Sequence, residues 1–244
     1  MYIEKSPFIR KDCNIYMNNS IITLKGKKCL IYADESPEFI LIQPQGKDGM
    51  TSLDNLIGYV KANADRQMCF TAFEIKDWND ELTPWEAPQV FGKGNFGHGA
   101  ADTLIFIENI LIPYLLERYP GIDSDHIVLG GYSLGGLFSL WASYNSSIFG
   151  SVCGVSPSVW YDGFMETVAE KDIPKAGNIY LSLGDTESNT RNVRMKRNAD
   201  CIRRLYELLK SSNINTILEW NKGDHFAEPD IRTAKGFVWC LNNL

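Results

Sequence analysis

Histidine is scarce in this chain, with three in 244 residues, and long apolar runs are missing. No stretch approaches the ~18 residues that a membrane helix needs, so a membrane is not an expected partner. The N-terminus mixes charge and polarity without the apolar segment of a secretory leader, which makes a cytoplasmic location the expectation. Positive charge is in deficit: the net charge is -6 and the pI about 5.2. That balance argues against a nucleic-acid or anionic-membrane surface. Six cysteines are present without C-x-x-C or metal-ligand spacing. They read as free thiols in a reducing compartment, and no metal or organic cofactor is expected. Repeats and low-complexity linkers are also missing, while 44% hydrophobic content over this length suffices for one large core. A single domain over 1–244 is the expectation.

What is present is the stretch Ile127-Val128-Leu129-Gly130-Gly131-Tyr132-Ser133-Leu134-Gly135-Gly136. An apolar run, as in a strand buried on both faces, delivers a serine into a turn flanked by glycines. Leu137, Leu140, Trp141 and Tyr144 then follow at helical spacing. This is the pattern of a nucleophile elbow: a strained strand-to-helix turn presents the hydroxyl, and small residues two before and two after let the chain pass. The new helix aims free N–H groups at the point where negative charge develops in acyl transfer, with Leu134 N–H as the first donor.

A serine hydroxyl needs a base, and the base needs an orienting carboxylate. With chain order serine, acid, histidine, His225 is the candidate base downstream of Ser133. It follows a strand at Thr216-Ile217-Leu218-Glu219-Trp220 and precedes a helix opened by Pro229. His126 lies before the elbow strand, at the opposite sheet edge, and reads as a structural or solvated residue. His98 sits in a glycine-rich loop and is a weaker candidate for the pocket wall. The acid is expected after the strand Asn178-Ile179-Tyr180-Leu181-Ser182-Leu183, where Asp185 and Glu187 both qualify on residue chemistry.

With GGYSLGG at the elbow, GDTE after the acid strand and GDHF near the end, the chain from about Phe39 onward resembles the putative esterase (esterase D-like) family of the α/β-hydrolase fold. The resemblance implies a serine carboxylic-ester hydrolase with an acyl-enzyme intermediate and a small-molecule ester as substrate. Members of that family usually carry the acid three residues after the glycine closing the strand, the position of Glu187, with Asp185 the alternative. Where the family often has His-Gly after its third strand, this chain reads Pro44-Gln45-Gly46-Lys47. By position, the second oxyanion donor then resembles the Lys47 N–H. An acyltransferase or thioesterase on the same residues, or a non-catalytic binding protein of this fold, are the alternatives.

The rest of the chain alternates strand and helix, which predicts an α/β fold with a mostly parallel sheet covered on both faces. Ile21–Leu24 and Cys29–Tyr32 read as antiparallel edge strands, Phe39–Ile42 and Met68–Ile75 as buried strands. A helix begins near Ser52, and Pro113 is expected to kink or divide a helix over Thr103–Leu116. A further strand near Gly150–Val155, a helix from about Asn192 to Leu209 and a last helix ending near Leu241 complete the pattern. Gly92-Lys93-Gly94-Asn95-Phe96-Gly97 matches a dinucleotide fingerprint but follows a proline-rich loop rather than a strand, so it reads as a loop near the site. Trp78, Trp85, Trp160 and Tyr161 fall in loops, and Trp160 is the one expected to line the pocket. The basic cluster Arg191, Arg194, Lys196 and Arg197 reads as a solvated helix face.

Overall fold

A computed structural model of the chain describes residues 4–9, 16–51, 53–90, 94–171 and 173–244. Gly92 and Lys93 of the glycine-rich loop therefore lie outside the described residues, as does Ser52. The chain opens with β1 (Glu4–Ile9), β2 (Tyr16–Leu24) and β3 (Lys27–Ala33), paired antiparallel in sequence order. Lys25 and Gly26, at φ 47° and 80°, make the two-residue turn between β2 and β3. Both expected antiparallel strands are there, longer than their apolar centres, but neither is an edge: β1, which no apolar run announced, covers β2, and β3 pairs on to β5.

Parallel pairing begins with β4 (Phe39–Gly46) and β5 (Met68–Ile75), joined by α1 (Asp54–Asn63). A short hairpin of β6 (Ala87–Pro88) and β7 (Asn95–Phe96) stands apart from the main sheet. Next come α2 (Ala100–Phe106), a π-helical turn (Ile107–Leu111) and α3 (Ile112–Arg118). The expected break thus takes the form of a widened turn just before Pro113, whose ring cannot accept a normal preceding turn and offers no N–H to it. After β8 (Ile127–Tyr132) come α4 (Leu134–Asn145), β9 (Ser151–Val155), α5 (Phe164–Glu170) and β10 (Asn178–Gly184). The helix expected over Asn192–Leu209 is two: α6 (Val193–Lys196), capped by the Asn192 side chain, and α7 (Asn198–Ser211). β11 (Asn215–Asn221) and α8 (Pro229–Asn242) end the chain.

The strands run β1-β2-β3-β5-β4-β8-β9-β10-β11 across the sheet, antiparallel up to β3/β5 and parallel from β5 onward. Side chains alternate between faces along each strand. On β8, Ile127 and Leu129 join the core beneath α2, α3, α4 and α7, while Val128 joins the core beneath α1 and α8. Phe237 of α8 meets Phe70 of β5 edge-on, with ring centroids 5.7 Å apart. Removing such a ring costs about 3–5 kcal/mol. The five described cysteines are unpaired, and burial pushes the Cys69 thiol up to about 12, so it packs as an apolar group. No helix among the described residues is long and apolar enough to cross a membrane.

Because β5, β4, β8, β9, β10 and β11 are parallel, their C-terminal ends share one rim, where α/β sheets place their ligands. The segments leaving that rim carry Lys47, Trp78, Ser133, Ser156, Glu187 and His225.

Candidate active site

Ser133 leaves β8 at φ 59° and ψ -120°, a conformation that L-residues adopt only under constraint. Its N–H donates to Val155 O at 3.1 Å, and its carbonyl accepts from Ser158 N at 3.1 Å and Leu137 N at 3.0 Å. The turn is therefore pinned from β9 and from α4. A methyl group on Gly131 would run into the carbonyl of Gly135, and one on Gly136 would lie 2.9 Å from Gly131 O. At Gly135 it would meet nothing nearer than Pro44 Cγ at 3.4 Å. The close approach is thus between the backbones of residues 131 and 135, and Gly131 and Gly136 are the positions closed to a side chain. Leu134, Gly135 and Gly136 precede the first intrahelical donor, so their N–H groups point out of the helix end.

His225 reaches the elbow from the loop after β11. Its Nε2 is 3.0 Å from Ser133 Oγ, and its Nδ1 is 2.8 Å from Glu187 Oε2. The carboxylate is buried and its other oxygen is heavily served: Ser156 Oγ donates to Oε1 at 2.6 Å, Gly184 N at 2.7 Å and Arg232 Nη1 at 3.2 Å. Burial alone would raise the carboxyl, but the hydrogen bonds from His225 and Ser156, the His225 charge and the Gly184 N–H outweigh it and hold Glu187 below the usual glutamate value. Oε2 is left as the acceptor facing the imidazole. Tyr132 donates to His225 O at 2.7 Å, and burial pushes its phenol up, so it remains a donor.

Asp185 has a different task. Its Oδ1 accepts from Gly223 N at 2.8 Å and its N–H donates to Asn221 O at 2.8 Å, which ties the ends of β10 and β11 together. The side chain is committed to the turn, and the Glu187 carboxylate is the one at the ring. His98 is brought to neither serine nor pocket: it is 75% exposed, faces Glu86 at 3.8 Å, and its N–H is held by Asp80 Oδ1 at 2.9 Å. Lys47 opens the 3-10 turn at Lys47–Thr51, exposed on the same rim as Ser133.

A pocket of about 240 Å³ opens at Ser133, walled by Trp78, Phe96, Leu134, Trp160, Met195 and Phe226. Trp160 lines it as expected. Trp78 is shared with a wider cleft of about 480 Å³ on the other side of Ser133, where Gln43, Gln45 and Asp230 make the wall more polar. Trp85 and Tyr161 stand behind the pocket and brace it: Trp85 Nε1 donates to Asp162 O at 2.8 Å and Tyr161 Oη to Trp85 O at 2.5 Å. Arg194, expected on a solvated face, binds Asp162 at 2.8 Å and the carbonyls of Pro88 and Gln89 at 2.6 and 2.7 Å. It fastens α6 to the loop beside the pocket. Ser156 and Arg232 belong to no motif, and Tyr132, though inside GGYSLGG, sits where the elbow pattern asks for no particular residue; the three meet from β8, the loop after β9 and α8.

The mostly parallel sheet with helices on both faces agrees with comparisons to known proteins. The family model "Putative esterase" matches residues 53–226. A siderophore enterobactin esterase of Emericella nidulans is 34% identical over 85 residues, which are 34% of this chain and 28% of that protein. YbbA of Bacillus subtilis, an uncharacterised protein, is 28% identical over 165 residues, 64% of this chain and 65% of that one. Both matches span less than two thirds of the relative's length. Among solved structures, the siderophore hydrolase EstA from Aspergillus nidulans superposes with a TM-score of 0.66 at 19% identity, covering 93% of this chain and 94% of that one. The fold is that of the α/β-hydrolase esterases, and the chain belongs to the putative esterase family.

Proposed function

We propose that the chain hydrolyses carboxylic esters through an acyl-enzyme on Ser133. His225 Nε2 takes the proton from Ser133 Oγ as that oxygen attacks the ester carbonyl. Glu187 fixes the Nδ1–H tautomer and offsets the charge of the imidazolium. The tetrahedral oxyanion is held by Leu134 N–H, with Lys47 N–H as the second donor. His225 then returns the proton to the leaving oxygen, and water, activated by the same imidazole, releases the acid. The single observation that carries this reading is the unbroken line from Ser133 Oγ through the ring to Glu187, at 3.0 and 2.8 Å, beside an open pocket.

The pocket's aromatic walls and the siderophore esterase among the relatives favour esters that bring an aromatic or apolar group to Trp78, Trp160 and Phe226. A fluorophosphonate should label wild type at Ser133. The Ser133→Ala variant, folded by circular dichroism, should lose p-nitrophenyl acetate turnover by about 10⁴-fold or more. Retained turnover in that variant sinks the proposal. Running the assay with alcohol and thiol acceptors distinguishes hydrolysis from acyl transfer by the product formed.

A further inference from the structure

Arg232 sits in the first turns of α8, 2% exposed, with its guanidinium entirely among site elements. Nη1 donates to Glu187 Oε1 at 3.2 Å, to Asp224 O at 2.9 Å and to Tyr132 Oη at 3.3 Å. Nη2 donates to Lys222 O at 2.9 Å. One planar fork thus ties the proposed acid to the loop that carries His225, and to the tyrosine that binds His225 O. Its surroundings leave no slack, since a methyl group on Gly184 would stand 3.0 Å from Nη1.

The electrostatics of this placement run against the imidazole. In the proposed reaction His225 becomes positive, and a fixed positive charge behind Glu187 opposes that. Glu187 does not depend on Arg232 for its ionised state, because Ser156, Gly184 and His225 already bind it. The gain from Arg232 is therefore geometric. With Oε1 occupied, Oε2 is presented to Nδ1, and the gain exists only while a carboxylate stands between the two cations.

We infer that Arg232 is a positioning residue for the proposed hydrolysis, holding the Glu187 carboxylate and the His225 loop in register, and that its contribution to turnover depends on the Glu187 negative charge. This rests on the Ser133 reading above. Nothing in the geometry brings Arg232 to substrate, so its loss falls on kcat and leaves KM alone.

The test is a double-mutant cycle of Arg232→Met with Glu187→Gln, read as kcat and KM for p-nitrophenyl acetate. Arg232→Met alone should lower kcat about 10- to 100-fold, the scale of a misplaced catalytic group, with KM within about twofold. In the Glu187→Gln background the same change should cost far less or raise kcat, because it then removes an uncompensated buried charge beside the imidazole. Equal fold-losses in both backgrounds, or an effect confined to KM, overturn the inference. Breaking a buried pair also destabilises the fold, so Arg232→Lys is run in parallel. It keeps the charge but, as a single ammonium, cannot span carboxylate and loop carbonyls. It should lower kcat when Glu187 is present and add little when it is not; equal losses again overturn the inference. If Ser133→Ala retains turnover, the site reading fails and takes this inference with it. If that variant is dead and the cycle is additive, only the role of Arg232 falls.

Discussion

The two rims of the sheet each hold a histidine, and the contrast between them separates a packed side chain from a poised one. His126 ends a 3-10 turn before β8, stacks on Phe39 with centroids 4.6 Å apart, and places Nδ1 3.2 Å from Glu38 O. Its neighbours are an aromatic face, a backbone carbonyl and solvent. His225, at the other rim, has a hydroxyl on one nitrogen and a buried carboxylate on the other. Strain is distributed the same way. Among described non-glycine residues with positive φ, Ser133, Ser156 and Glu228 lie in segments that leave the C-terminal ends of β8, β9 and β11, while Lys25 and Asn213 lie in ordinary turns. Backbone strain of order 1–3 kcal/mol per residue persists where the surroundings over-determine it. Here they do so at the rim where C-terminal strand ends converge.

The largest effect that could break this contrast is a histidine pair. His225→Ala should cut kcat for p-nitrophenyl acetate by about 10⁴-fold or more, as expected for loss of a general base, whereas His126→Ala should stay within about threefold. Comparable losses in the two would remove the distinction between the rims. A second pair sharpens it within one turn. Glu187→Gln should lower kcat by about 10³- to 10⁴-fold by releasing the imidazole tautomer. Asp185→Asn should cost mainly stability, about 1 kcal/mol for a weakened bond to Gly223 N. Steady-state kinetics beside urea denaturation reads both, and a larger kinetic loss at Asp185 would reverse the assignment.

The smallest effect is on acid stability. Since Glu187 is held below its ordinary value in the folded state, its contribution is complete above the usual glutamate range and is lost as pH falls through the folded value. Urea midpoints measured from neutral pH downward should therefore fall more steeply in wild type than in Glu187→Gln. Parallel slopes would place the carboxylate in an environment no better than water.

Much of the fold was legible because its elements announce themselves locally. The largely apolar runs of β5, β8 and β10 and the 3.6-residue spacing in α4 are local signals that need no partner to be read. Elements without such a signal escaped: β1, the short α5, and the division of α6 from α7 at Arg197. The glycine pattern marked the tight turn at Ser133, although packing shifts the second closed position from Gly135 to Gly136. His98 shows the limit of residue chemistry as a guide, since its backbone is held by Asp80, its ring faces Glu86, and it is not among the residues lining the pocket at Ser133.

Chain order and local pattern by themselves determined the alternation of strand and helix, the turn at Ser133 and the candidacy of His225 as its proposed base. Residue chemistry left Asp185 and Glu187 equivalent; family likeness favoured the second, and only the folded molecule shows that Gly223 N–H occupies Asp185 while Glu187 faces the ring. It alone brings Arg232, Ser156 and Tyr132 behind that carboxylate. The reason is physical: periodicity records which face of an element is buried, whereas the meeting of side chains dozens of residues apart depends on strand order and on how α8 packs against the sheet. Neither leaves a mark on any one segment.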